Sequence, residues 1–308
     1  MNFKLPVIAV CLTGLVACSN VTFHTGGAAS SCLSGEYTHQ ELQDFKQSKF
    51  AGLTGEEVNN IALSFTDCIG NPDPEIRDGL VFESLSHLIR ENKLTSETMK
   101  RLNTVMLEAL NGPEDPGGYL KPFAALDLSE LVRADRIDPY LTDLQRAELV
   151  SATVAYMTGI SDYRGYDDEE GWRHGVAHTS DLVLQFVLND QIIEPQLRAL
   201  REAIAEQVVP EGGHTYIHGE SERLARPILY MARRGTFKQD EWNTWFANFA
   251  DPAPFAEWGE IYKSEKGLAK LHNTKAFLNA VYINASLSQN ENINRLATSS
   301  LEALKKLP

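Results

Sequence analysis

GWRHGVAHTSDLVLQFVL, residues 171 to 188, reads as an amphipathic helix. At about 100° per residue, Trp172, Val176, Thr179, Val183, Phe186 and Val187 fall on one side of it. His174, His178, Asp181 and Gln185 fall within a narrow arc on the other. The same period recurs up and down the chain, and strand-like alternation is scarce.

Three further helix starts carry capping boxes, in which a threonine and a Glu or Gln three residues on satisfy each other's orphan backbone donors: Thr38 with Glu41, Thr54 with Glu57, and Thr142 with Gln145. Helical patterns also cover 74–90, 96–110, 122–133, 194–208, 221–233, 239–249, 255–263, 268–287 and 290–307. GNPDP, NGPEDPGG, DPY, PEGG and ADPAP break them. About a dozen helices in short-turn succession, with no glycine-rich phosphate loop, predict an all-α domain. The absence of a fixed-length repeat favours an irregular HEAT-like α–α solenoid, with a compact helical bundle as the alternative.

The N-terminus has a different character. MNFKLPVIAVCLTGLVAC places Lys4 before an apolar run too short for a comfortable membrane span, as in a signal peptide. LVAC, residues 15–18, resembles the lipobox of bacterial lipoproteins, which implies lipidation of Cys18. The residue after it is Ser19 rather than the Asp that marks inner-membrane retention, so the expectation is an outer-membrane anchor facing the periplasm. The chain then divides into a signal peptide (1–17), a Ser-, Gly- and Ala-rich tether (18–36) and a single helical domain (37–308). Loss of residues 1–17 removes Lys4 and no acid, taking the net charge from −14 to −15. Such a chain repels phosphate backbones, which excludes nucleic acid as a partner and leaves the membrane and an unidentified protein or small molecule. Of four cysteines, Cys32 and Cys68 remain to form a disulfide or stay reduced.

The chemistry concentrates at 161–183 and 212–223. Imidazoles at i and i+4, His174 and His178, can share a divalent metal ion with Asp181 as third ligand and leave a position for water. HGVAH lacks the glutamate of the H-E-x-x-H pattern, so that general base is missing. The same groups can instead hydrogen-bond a polar ligand or form a buried network. Upstream, Arg164 lies between Tyr163 and Gly165, placed to grip a carboxylate such as Asp181, Glu222 or a ligand's. The run Asp167–Glu170 suits the start of a helix. Downstream, HTYIHGESERLAR supplies His214, His218, Glu220, Glu222 and Arg223. If that loop folds over the first stripe, four histidines and several carboxylates converge.

Four blocks, NPDPEIRDGLVFESLSHLI (71–89), DYRGYDDEEGWRHGVAHTSDLV (162–183), GESERLARPI (219–228) and NTKAFLNAVYI (273–283), resemble in order the signature blocks of the bacterial DUF2785 family. The resemblance spans about residues 40 to 290. It implies that Asp162, Arg164, Gly165, Gly171, Trp172, His174, His178 and Asp181 occupy motif positions, as do Arg77, Asp78, Glu222 and Arg223. His214 and His218 do not. The family brings no established activity. The expected function is binding at a polar site of Arg164, His174, His178, Asp181, Glu222 and Arg223. The alternative is a metal-dependent hydrolase of cell-envelope material, with His174, His178 and Asp181 on the ion and Glu222 as base.

Overall fold

The computed structural model describes residues 31–308 except Ser34. The signal peptide, Cys18 and most of the tether lie outside the described residues. Within them the chain is helical, as the periodicity predicts, with one two-stranded hairpin as its only sheet. All three capping boxes form, with Thr38, Thr54 and Thr142 accepting from the backbone N–H three residues on.

The helices are α1 (His39–Gln47), α2 (Gly55–Ser64), α3 (Glu83–Arg90), α4 (Ser96–Asn111), α5 (Leu120–Ile137), α6 (Asp143–Gly159), α7 (Gly175–Leu188), α8 (Glu194–Val208), α9 (Glu220–Arg234), α10 (Gln239–Asn248), α11 (Glu265–Leu287) and α12 (Glu291–Leu304). They alternate between two layers. The larger contacts run α3 to α5 to α7 to α9 to α11 in one layer and α2 to α4 to α6 to α8 in the other, with α12 closing the end against α9, α10 and α11. This is the stacked-pair arrangement of an α-solenoid. One apolar core, from Leu42 through Phe123 and Phe186 to Ala303, runs between the layers.

Two departures from the predicted elements matter. The stretch Glu75–Phe82 is a π-helix that feeds into α3, so the 74–90 segment is helical throughout but wider at its start. The 255–263 segment yields only a 3₁₀ stretch, Trp258–Lys263, because the proline-containing ADPAP leaves too few residues for a full helix before Ser264 caps α11.

Because the helices of each pair run in opposite directions, the connections gather along two edges. One edge collects residues 65–74, 112–119, 160–174, 209–219 and 249–264. Its loops touch in sequence: Gly70 lies against Leu120, Arg173 Nε donates to Gly117 O at 2.7 Å, the Tyr163 and His214 rings stack at 5.4 Å, and Gly213 abuts Lys266. At the opposite edge Asp135 is the hub. Its carboxylate accepts from Tyr140 N, Leu141 N, Arg146 Nε and Nη2, and Asn189 Nδ2, at 2.7–3.0 Å.

Cys32 and Cys68 are disulfide-bonded, with Cα atoms 5.3 Å apart. No helix among the described residues is long and apolar enough to cross a membrane.

Candidate functional site

The segment that opened the sequence reading is not helical from its start. Tyr166–Asp167 (β1) pairs antiparallel with Gly171–Trp172 (β2). The ladder continues outward as Arg173 N–H to Gly165 O at 2.9 Å and His174 N–H to Arg164 O at 3.1 Å. The chain turns at Gly171, whose φ is +72°. His174 itself is left-handed, with φ 55° and ψ 40°, and α7 begins one residue later. A non-glycine residue in that region is uncommon and must be held there by its surroundings. Trp172 therefore belongs to the hairpin, where its indole stacks on His174 with ring centres 4.6 Å apart. The predicted helix 171–188 is corrected to 175–188.

The downstream loop does fold over this stripe. Glu220, the first residue of α9, is buried, and its Oε1 lies 3.7 Å from both His174 Nε2 and His218 Nδ1. Its Oε2 accepts from His218 N at 2.9 Å. His178 follows one turn into α7, its ring 5.7 Å from that of His174 and edge-on to Phe123 at 5.2 Å. The His218 ring rests on Gly165, where a Cβ would overlap it, with His218 Cε1 at 2.6 Å. Glycine is what lets the two loops meet.

Burial keeps both His174 and His178 neutral. Desolvation, reinforced by the positive charge of Arg223 and by the neighbouring histidine, lowers His174 to about 4 and His178 to about 3. The gap bounded by Tyr163, Arg164, His174, Gly175, Val176, Tyr216 and Glu220 has no room for a water-sized sphere. The cluster is packed rather than hollow.

The side chains of the remaining candidates border the cluster but turn to other partners. Asp181 pairs with Arg223 Nη1 across α7 and α9, with side chains 21% and 37% exposed. Burial raises the Asp181 carboxyl above its usual range despite Arg223. Asp181 thus turns to an arginine, not to either histidine. Glu222 is exposed, and its neighbour Glu220 takes the buried position instead. Arg164 does not reach Asp181 or Glu222. Its guanidinium is clamped by Asp162, with Nε–Oδ1 at 2.9 Å, and donates to Gly117 O at 3.1 Å. That pair sits over Gly118, whose φ is +74°, beside a cleft of about 90 Å³ lined by Glu114, Asp115 and Tyr156. His214 stacks on Tyr163, and Glu220 is near enough to act on its ring charge. Among the described residues no group of three or more His, Cys, Asp or Glu side chains is arranged to hold a metal ion.

Sequence reasoning missed a support beneath the hairpin. Tyr119 lies between two guanidinium groups, Arg77 Cζ at 4.3 Å and Arg173 Cζ at 4.4 Å from its ring centre. Arg77 is fully buried and donates to Asn71 O, Pro72 O and Glu170 O. Arg173 also bonds Glu170 Oε2 at 2.6 Å. No spacing rule links residues so far apart in sequence. For Glu220 a signal existed, the glycine before it, which opens α9 at φ +84° and turns the first helical side chain inward.

The layer of α3, α5, α7 and α9 also carries a charged band on its solvent side. Arg90 and Glu130 form a two-point pair at 2.7 and 2.5 Å, and Glu130 is near enough to Asp181 to help raise its carboxyl. Arg226, exposed on α9, acts on Asp181 in the opposite sense.

No curated protein and no solved structure matches the chain. The family described as "protein of unknown function (DUF2785)" matches residues 106–283, from within α4 to within α11; the match contains the hairpin, the histidine cluster and the Asp181–Arg223 pair, but not Arg77, Arg90 or the 71–89 block. The chain, matched over more than half its length, belongs to the DUF2785 family.

Proposed function

We propose that the protein is a lipid-anchored binding protein of the cell envelope, held at the outer membrane and facing the periplasm. Its charged band, centred on Asp181 and Arg223, would hold a polar protein segment or small ligand. The observation that carries this reading is the partly exposed Asp181–Arg223 pair bridging adjacent helices. A pair in that position is already partly desolvated, and each member can exchange its partner for a ligand's carboxylate or cation. The packed histidine cluster behind it fixes the start of α7, and with it the position of Asp181 one face-turn further on. The anchor is supported by LVAC at 15–18 and by the disulfide, which suits an oxidising compartment.

Photo-crosslinking in the intact envelope tests this. A photoreactive residue at Gln185 or Tyr230, on the band, should give the same discrete adduct. One at Glu148, on α6 of the other layer, should give none. The adduct should disappear in an Arg223→Gln background that remains folded by circular dichroism. Adducts that form equally from position 148, or survive Arg223→Gln, would sink the reading.

A further inference from the structure

The disulfide decides where the tether leaves the fold. Cys68 lies in the turn between α2 and the π-helical stretch, on the same edge as the hairpin and the histidine loop. The path from Cys18 to Cys32 is fourteen residue steps, which reach no further than about 50 Å. The helix layer is about 27 Å deep at α5, from its 18 residues at about 1.5 Å each. Presenting the opposite edge to a membrane would consume more than half of that reach. The tether-bearing edge meets the surface without such extension.

Exposed aliphatic side chains occur at the opposite edge too, at Ile137, Leu144, Ile193 and Leu287, but the exposed aromatic rings, which favour a membrane interface, lie at this edge. Tyr166 is 49% exposed, Ile217 73% and Tyr262 57%. The Tyr166 ring packs on Trp172 at 4.9 Å, and Trp172 lies 5.9 Å from the ring of His218, the residue after Ile217. Tyr166 and Trp172 therefore form one aromatic pair, and Ile217 stands exposed on the neighbouring loop, next to His218. Tyrosine and tryptophan settle at headgroup depth, where the ring is partly dry and the polar tip wet. Beside them, Asp167, Asp168 and Glu169 are exposed at the hairpin turn. Their charge is repelled by anionic lipid and tolerated by a zwitterionic surface.

We infer that this edge docks on a zwitterionic phospholipid surface, with Tyr166, Trp172 and Ile217 in the headgroup region and the hairpin against the membrane. The inference rests on the reading of Cys18 as the anchor. It assigns the orientation of the anchored domain: both helix layers stand upright on the bilayer, and the charged band faces sideways.

The test uses the full lipidated chain in phosphatidylcholine–phosphatidylethanolamine vesicles. An environment-sensitive fluorophore is attached to Tyr166→Cys, Ile217→Cys or, on the opposite edge, Ile193→Cys, each checked for folding by circular dichroism. Emission at 166 and 217 should shift to the blue and be quenched by lipids brominated near the headgroup, while 193 stays as in water. Replacing part of the phosphatidylcholine by phosphatidylglycerol should reverse both effects. Vesicle sedimentation separates the two layers of the claim. A chain that does not sediment overturns the anchor and the docking together. A chain that sediments with 166 and 217 as wet as 193 overturns the docking alone.

Discussion

At the scale of single residues, the stability of this fold depends on a few buried polar groups whose partners are far apart in sequence. Asp135 is the clearest case, since one carboxylate caps the α5–α6 turn, binds the buried Arg146 and reaches Asn189 beyond α7. Asp135→Asn leaves the buried Arg146 guanidinium with only the exposed Asp143 as countercharge. We expect a loss of roughly 3 kcal/mol in urea unfolding, against well under 1 for Asp143→Asn at the exposed end of the same arginine. His174 and His178 make a second prediction. Unfolded, both titrate near 6.5, whereas folded they titrate near 4 and 3. Above pH 6.5 both states hold neutral rings and stability is full. As pH falls below 6.5 the unfolded chain takes up protons that the folded chain refuses, so stability drops, by up to about 1.4 kcal/mol per pH unit for each ring. The charges facing His178, from His174, Arg223 and Arg77, all oppose its protonation. The unfolding midpoint should therefore fall between pH 6.5 and 4, and His178→Leu should flatten that slope by about one proton.

At the scale of elements, the hairpin is held by what lies under it. Arg77→Lys keeps a charge but loses the fork that spans Asn71 O, Pro72 O and Glu170 O, and it weakens the stack on Tyr119. Hydrogen exchange should then speed up at residues 165–174 well before it changes in α7. Gly165→Ala acts from above, pushing His218 off its seat, with an expected cost of about 1–3 kcal/mol and a shifted His218 ring resonance. These elements also show what a sequence can reveal. The capping boxes at Thr38, Thr54 and Thr142 are local contacts three residues apart, and all three were legible. So was the shared face of His178, Asp181 and Gln185 on α7, although His178 on that face is buried against Phe123 rather than open to solvent. His174 was not, because apolar period alone does not locate the first helical residue, and the signal against a helix was Gly171 with the acidic turn before it. Glu220 was passed over for Glu222 because burial at a helix start depends on the direction in which Gly219 delivers the chain. The Arg77–Tyr119–Arg173 stack joins three segments that only the tertiary fold brings together.

At the scale of the whole molecule, the alternation of layers was readable from helices separated by short breakers, and the order in which loops share an edge follows from that alternation. What the loops do to one another there was not readable, since it depends on close approaches at single glycines. The disulfide should matter to the whole domain. Its cysteines are 36 residues apart, and opening it by Cys32→Ser/Cys68→Ser frees a loop whose closure is worth roughly 4 kcal/mol, an effect to be read as a lowered urea midpoint with a raised m value, since the unlinked denatured chain exposes more surface. The bond has one more consequence, which appears only under load. If the envelope moves relative to a bound partner, tension runs along the tether and enters the fold at Cys68 rather than through residues 33–67. The helices α1 and α2 are spanned by the covalent bridge and carry none of that force. The first noncovalent structure to feel it is the π-helical turn with Arg77 at its heart, directly beneath the hairpin.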